Sequence, residues 1–237
     1  MALYNGSRGN DIFLLASHRT GDTIWADGDA TIDDPFGFNI IVAGRGNDQI
    51  HGGWGRDVIF AGAGDDVVFG FGQTLPFGNP ASGGFDIRRD GDDLIDGGGG
   101  NDTIHGGGGD DRLLGGTGND TLYGGTGNDI IRGGAGDDVI SSGSGTDQLW
   151  GGAGADVFLY RYLMVNAQQG NDADGVDTIH DFESGIDRID LRGYSITGGV
   201  EQVQTDDGLE LHFSAIGSAR VIALLDVASL AEADIIL

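Results

Sequence analysis

The sequence predicts an all-β fold built as a solenoid, on three observations. Glycine and aspartate recur every nine residues, each nonamer carries one large apolar residue near its end, and the nonamers run on without a break through the middle of the chain. From Gly97 the copies read GGGGNDTIH, GGGGDDRLL, GGTGNDTLY, GGTGNDIIR, GGAGDDVIS, SGSGTDQLW and GGAGADVFL, ending at Leu159. The frame extends back through RRDGDDLID at Arg88 and reappears at Ala43 as AGRGNDQIH, GGWGRDVIF and AGAGDDVVF, preceded by a degenerate DPFGFNIIV from Asp34. The stretch 70–87 spans two nonamers, so the phase survives an interruption in which the motif is lost.

Each position of the nonamer has a local reason. Positions one, two and four are mostly Gly, which permits positive φ and lets backbone carbonyls crowd together without a side-chain clash. Position five is usually Asn or Asp, the residues other than Gly that best tolerate left-handed geometry. Position eight is Ile41, Ile50, Ile59, Val68, Ile95, Ile104, Leu113, Leu122, Ile131, Ile140, Leu149 and Phe158, between more polar neighbours at seven and nine. Positions seven to nine therefore read as a short strand with one side chain turned inward. One inward residue in nine makes no core alone, but stacked copies make a continuous apolar ladder.

Position six is Asp in every well-formed copy: Asp48, Asp57, Asp66, Asp93, Asp102, Asp111, Asp120, Asp129, Asp138, Asp147 and Asp156. If two nonamers make one coil, every second copy lies on the same edge, and the carboxylates form two columns with a step of about 4.8 Å. At that separation like charges repel unless a cation lies between them. A hard ion with oxygen ligands fits. Ca2+ accepts six to eight oxygens in flexible geometry, whereas Mg2+ demands a tighter octahedron and Zn2+ prefers His or Cys.

The copies match Gly-Gly-x-Gly-x-Asp-x-U-x, with U a large aliphatic residue, and so resemble the RTX or haemolysin-type calcium-binding nonapeptide. The resemblance implies a right-handed parallel β-roll, a calcium-stacked solenoid, in which each ion lies between two same-edge loops. Its ligands would be the position-six Asp residues and carbonyls of positions one to four, with Gly97, Gly98, Gly100, Gly106, Gly107, Gly109, Gly115, Gly116, Gly118, Gly124, Gly125, Gly127, Gly133, Gly134 and Gly136 the clearest candidates. Pairing each Asp with the one two copies on gives 48 with 66, 93 with 111, 111 with 129, 129 with 147, 102 with 120, 120 with 138, and 138 with 156. Asn39 with Asp57 is a weaker eighth pair, so seven or eight Ca2+ ions are expected. Leu75 and Gly84 hold position six in the interruption, where no ion is expected. Aspartates outside position six, such as Asp65, Asp92, Asp110 and Asp137, read as turn formers.

The expected organisation is a degenerate N-terminal cap over 1–33, a first repeat block over 34–69, interrupted or looped turns over 70–87, the main roll over 88–159 and a β-rich C-terminal cap over 160–237. GSRGNDIFL from Gly6 and the Gly21–Ile24 segment look like eroded nonamers out of phase with the array. Asp174 to Tyr194 resembles the element that follows the roll in serralysin-type proteases and mannuronan epimerase modules. Asp174, Asp177 and Asp181 there read either as a solvated acidic loop or as one further ion site. Strands are expected at 209–213 and 220–225. The final Asp234, Ile235, Ile236 and Leu237 resemble the terminal signal of proteins exported by type I secretion, although a terminal strand reads the same way.

Composition bounds the function. Gly is 48 of 237 residues but Pro only 3 and no Gly-x-y period appears, which excludes collagen. The 12 basic residues, all Arg, against 38 acidic ones give a net charge of −26, which disfavours nucleic acid and anionic membranes. No apolar run is long enough to span a membrane, and the N-terminus shows neither a basic leader nor a sustained apolar segment. With no Cys there are no disulfides or thiol nucleophiles. The five histidines, His18, His51, His105, His180 and His212, form no His-Glu-x-x-His, so the zinc site of a serralysin is missing. The resulting expectation is a secreted, noncatalytic calcium-binding exoprotein or surface module that folds on meeting extracellular Ca2+. The alternative is a polysaccharide-binding accessory module, for which Trp54, Phe71, Phe77, Phe85, Tyr160 and Tyr162 are aromatic candidates. Packing explains these residues equally well.

Overall fold

The computed structural model describes residues 3–5, 12–14, 22–25, 38–53, 55–71, 90–160, 175–192, 196–215 and 218–237. The strands in chain order are β1 Leu3–Asn5, β2 Ile12–Leu14, β3 Thr23–Trp25, β4 Ile40–Arg45, β5 Gln49–Gly53, β6 Val58–Ala63, β7 Val67–Phe71, β8 Leu94–Gly99, β9 Thr103–Gly108, β10 Arg112–Thr117 and β11 Thr121–Thr126. They continue as β12 Ile130–Ala135, β13 Val139–Ser144, β14 Gln148–Ala153, β15 Val157–Leu159, β16 Asp177–Ile179, β17 Arg188–Asp190, β18 Ile196–Gln204, β19 Gly208–Ala215, β20 Ser218–Leu225 and β21 Ile235–Ile236. Odd strands from β1 to β17, then β21, form one parallel sheet; even strands from β2 to β16 form the other. This is a parallel β-roll of two facing sheets. Each strand pairs with the second one along the chain, because a short extended segment followed by a tight Gly turn carries the chain across to the opposite sheet.

The core is the position-eight ladder. Leu113, Ile131 and Leu149 stack in one sheet against Ile104, Leu122 and Ile140 in the other, all at most 1% exposed. Burying such a side chain contributes about 1.5–3 kcal/mol. The ladder ends on Phe158, Ile179 and Ile189, all fully buried.

Two expectations about organisation are corrected by the pairing. The N-terminal fragments form rungs of the roll, not a separate cap: Phe13 pairs with Ile41 and Ile24 with Ile50, position eight on position eight. Likewise β15, β16 and β17 continue the two sheets past residue 160, and only β18–β20 depart from the roll, as an antiparallel extension joined to β16. Across the interrupted or looped turns expected over 70–87, the strands on either side are direct neighbours. Ile59 pairs directly with Ile95, and Val68 with Ile104.

The chain splices one nonamer from two pieces. Gly70 faces Gly106, both at position one, and Phe71 pairs with Gly53 and meets Gly107, all at position two. Gly91, at position four, bonds back to Gly55 at 2.9 Å and faces Gly109. Gly70 and Phe71 thus supply positions one and two, and Asp90 to Asp96 supply three to nine. Residues 72–89, with Leu75, Phe77, Gly84 and Phe85, lie outside the described residues, as do Trp54, Tyr162 and Asp174.

Candidate metal centre

The gap between the loops 97–102 and 115–120 shows how the repeat builds a site. Gly116 and Gly118 sit at φ +112° and +120°, and a Cβ on either would strike the carbonyl oxygen of Gly98 or Gly100 in the rung before. Only glycine allows that approach, so position-two and position-four carbonyls point forward into the gap. The position-one carbonyl points the other way: Gly115 O lies 2.7 Å from where a Cβ on Gly97 would be, beside Asp102 Oδ2. Position three takes no part, since the Gly100 amide donates to Thr117 O at 2.9 Å. The expected ligand carbonyls at positions one to four therefore narrow to one, two and four.

The carboxylate of Asp120 closes the gap. Its Oδ1 accepts the backbone amide of Asp102 at 2.8 Å. The same contact repeats along both edges at 2.6–3.0 Å. One column runs Asp22, Asp48, Asp66, Asp102, Asp120, Asp138, Asp156, Asp187; the other runs Asn39, Asp57, Asp93, Asp111, Asp129, Asp147, Asp177. Among the described residues that makes thirteen gaps.

The second oxygen has a different fate. Oδ2 of Asp66, Asp93, Asp102, Asp111, Asp120, Asp129, Asp138, Asp147 and Asp156 is buried with no hydrogen-bond donor. An orphaned buried carboxylate oxygen facing carbonyls is costly unless a cation joins them. Burial first, and neighbouring carboxylates second, push these groups up: Asp129 to about 9, Asp111 to about 8, Asp66 and Asp138 to about 7, Asp102 and Asp156 to about 6. Among the described residues no three His, Cys, Asp or Glu side chains converge on a common point. Each gap offers two carboxylates and several carbonyls, an all-oxygen donor set that suits a hard cation of flexible coordination such as Ca2+.

All eleven position-six aspartates lie in these columns, at most 3% exposed. Sequence pairing reached eight gaps and missed five. Asp57 pairs with Asp93, and Asp66 with Asp102, at an offset of 36, because the splice removes one coil from the count. Asp22, Asp177 and Asp187 extend the columns at offsets of 26, 30 and 31. Asp177 is not part of a solvated loop: it is buried in the column, its Oδ1 accepts the Asp147 amide at 3.0 Å and the Ser142 hydroxyl donates to its Oδ2 at 3.1 Å. Asp181 accepts the Gly151 and Gly152 amides at 2.9 and 3.0 Å, and so caps a loop. The position-five residues form a second ladder of opposite polarity: Asn119 N donates to Asn101 Oδ1, and Asp137 N to Asn119 Oδ1.

A model of the RTX calcium-binding nonapeptide repeat matches residues 36–68, 89–122 and 123–158. These three segments match RTX calcium-binding repeats. The second matched segment of the RTX array begins at Arg89, next to Asp90, where the chain re-enters the roll. Among solved structures, the solution structure of the AlgE6R3 subunit of the Azotobacter vinelandii mannuronan C5-epimerase is similar to 62% of this chain and 78% of its own, at 29% identity and a TM-score of 0.40. The extracellular lipase LipA from Serratia marcescens aligns with 77% of this chain, at 15% identity and a TM-score of 0.27, over 40% of its own length. No curated protein matches the chain.

Several of the described aromatic residues stack on one another. Phe69 and His105 stack at 4.9 Å, and His105 and Tyr123 at 4.6 Å, with nearly parallel ring planes, at position nine of one sheet. On the other sheet Trp150 stacks on His180 at 4.0 Å with Arg132 above it at 4.5 Å. Neither ladder was legible as an array, because its members fall in alternate nonamers and mix His with Phe, Tyr and Trp. Tyr160, a sequence candidate for a binding surface, packs against the core.

Proposed function

We propose that this protein is a noncatalytic, secreted calcium-binding module whose roll forms when Ca2+ enters the gaps between same-edge loops. Each ion would be held by the Asp carboxylates of two stacked rungs, by the position-one carbonyl of one rung and by the position-two and position-four carbonyls of the other. The observation that carries this reading is the column of buried Oδ2 atoms without donors, facing carbonyls that only glycine lets approach. Beside it stands the match to calcium-binding repeats.

The proposed switch is electrostatic. At a dissociation constant of about 0.1 mM and millimolar external Ca2+, each ion contributes about 1.4 kcal/mol, and at submicromolar cytosolic levels that contribution vanishes. Seven divalent ions would bring the formal charge of −26 to −12. The chain would thus stay open for export through a type I machinery, with Asp234, Ile235, Ile236 and Leu237 as its terminal signal, and close outside. A calcium titration followed by circular dichroism, with ion count by calorimetry, tests this. β-structure is expected to appear with Ca2+ and to be lost in chelator; an equally strong β signal in chelator overturns the reading.

A further inference from the structure

The spliced rung differs from the others at one donor atom. Wherever an unbroken loop precedes it, a position-two glycine faces the carbonyl oxygen of position two in the rung before, as Gly116 faces Gly98 O, and Gly125 faces Gly107 O. At Gly107 the facing residue should be Phe71, and what Gly107 meets there is the Phe71 side chain together with Asp90 Oδ2. The chain departs after Phe71, so the position-two carbonyl is lost from this gap and a carboxylate stands in its place. Asp90 sits at position three, where the other described repeats have no acidic residue.

The surroundings of Asp90 point into the same gap. Its Oδ2 accepts the Gly108 amide at 3.2 Å, and its Oδ1 is buried with no hydrogen-bond donor. Asp93, 3% exposed, has an Oδ2 without a donor, which lies beside Gly70 and Gly106 O. Asp111 Oδ1 closes the gap from above through the Asp93 amide at 2.8 Å. Asp90 exerts the largest like-charge repulsion on both Asp93 and Asp111, so it lies close to both members of the pair.

We propose that Asp90 is a third carboxylate ligand in the gap between Asp93 and Asp111, replacing the carbonyl that the splice removes: the three carboxylates do not meet at one point on their own, and an ion in this gap would draw on all three where its neighbours have two. This rests on the calcium reading above. A hard divalent cation gains from each added charged oxygen, so this gap is the tightest of the column and fills first. Its ion also ties the two ends of the excursion together, since Phe71 and Asp90 flank it.

Calorimetric Ca2+ titration of the full chain tests the proposal with Asp90→Asn, which keeps an acceptor for the Gly108 amide but not the charge, and Asp92→Asn as control. Asp92 is exposed and pairs with Arg56, so its variant removes the same charge from the neighbouring surface. The expected result is that Asp90→Asn weakens the first-filling ion tenfold or more, while Asp92→Asn leaves the isotherm within twofold of the parent. Terbium substituted at one equivalent should bind the parent and lose occupancy in Asp90→Asn alone. An Asp90→Asn isotherm superimposable on that of Asp92→Asn overturns the assignment, and so does a uniform weakening of every ion. Asp120→Asn, in an unspliced gap, separates this from the calcium reading: if the parent binds no Ca2+, that reading fails, whereas loss in Asp120→Asn with none in Asp90→Asn sinks only the role of Asp90.

Discussion

Asp120 is satisfied on one oxygen only: Oδ1 accepts the Asp102 amide at 2.8 Å, while the buried Oδ2 has no donor. The first oxygen locks two rungs in register, and the second faces the gap toward Asp138. One side chain thus serves two adjacent gaps. Asp120→Asn keeps an acceptor for Asp102 but removes the charge. With two ions weakened, the variant is expected to lose up to about 3 kcal/mol in millimolar Ca2+. In chelator the sign reverses, because a repelling buried charge is gone. Denaturant midpoints of both proteins in Ca2+ and in chelator check the crossover.

The raised aspartates make the ion-free roll an acid-favoured structure. Asp129 is pushed up to about 9 and Asp111 to about 8, from an ordinary value near 3.8, mainly by burial. The folded state therefore binds more protons than the unfolded chain between these values, and stability falls as pH rises. Without Ca2+, β-structure should be fullest below about pH 4 and fade progressively up to about pH 9. Ca2+ competes with those protons, so its binding should release them and tighten as pH rises. Circular dichroism against pH in chelator, and proton release in weakly buffered titrations, read both effects.

Eleven of the fourteen columnar aspartates are legible in the sequence because a strict period of nine converts directly into stacking distance. The splice is not, for a specific reason. The interruption 72–89 is two nonamers long, one full coil, so the repeat keeps its phase across it and the sequence reads the same whether or not those levels belong to the stack. Asp177 and Asp187 hide for the opposite reason: offsets of 30 and 31 break the phase, so their carboxylates look unrelated to Asp147 and Asp156. The carbonyl donors at positions one, two and four differ in direction, which depends on backbone dihedrals that residue identity alone leaves open.

Glycines with positive φ should divide by what their α-carbon faces. Gly116 has φ +112° and faces Gly98 O, whereas Gly185 has φ +87° with nothing within 4 Å. Gly185→Ala then costs only the left-handed backbone, about 1–2 kcal/mol. Gly116→Ala adds a backbone clash that neither rung can relieve without parting, and displaces the Gly98 carbonyl from the gap. Its loss should exceed about 3 kcal/mol, in the range of severe core defects. Thermal unfolding of the calcium-loaded variants ranks them.

The last four residues combine an expected export signal with a structural rung, and the two roles separate by residue. Asp234 is 1% exposed and accepts from the Ser184 hydroxyl at 2.7 Å, the Ala231 amide at 2.7 Å and the Gly185 amide at 2.9 Å. Burial would raise its carboxyl, but these donors and nearby Arg188 hold it below the ordinary range. Ile235 pairs with Ile189, and Leu191 N donates to Ile236 O at 2.8 Å, so both isoleucines close the sheet edge. Leu237 is 69% exposed. Asp234→Ala is expected to cost about 2–3 kcal/mol, since hydrogen bonds to a charged group are lost together. That contribution is present above the unfolded carboxyl value and is lost as pH falls through the folded one, opposite in sign to the columnar aspartates. Leu237→Ala should leave stability within about 0.5 kcal/mol. Urea midpoints at pH 7 and pH 3 test the sign, and an export defect confined to Leu237→Ala would report the signal itself, because the roll beneath it is unchanged.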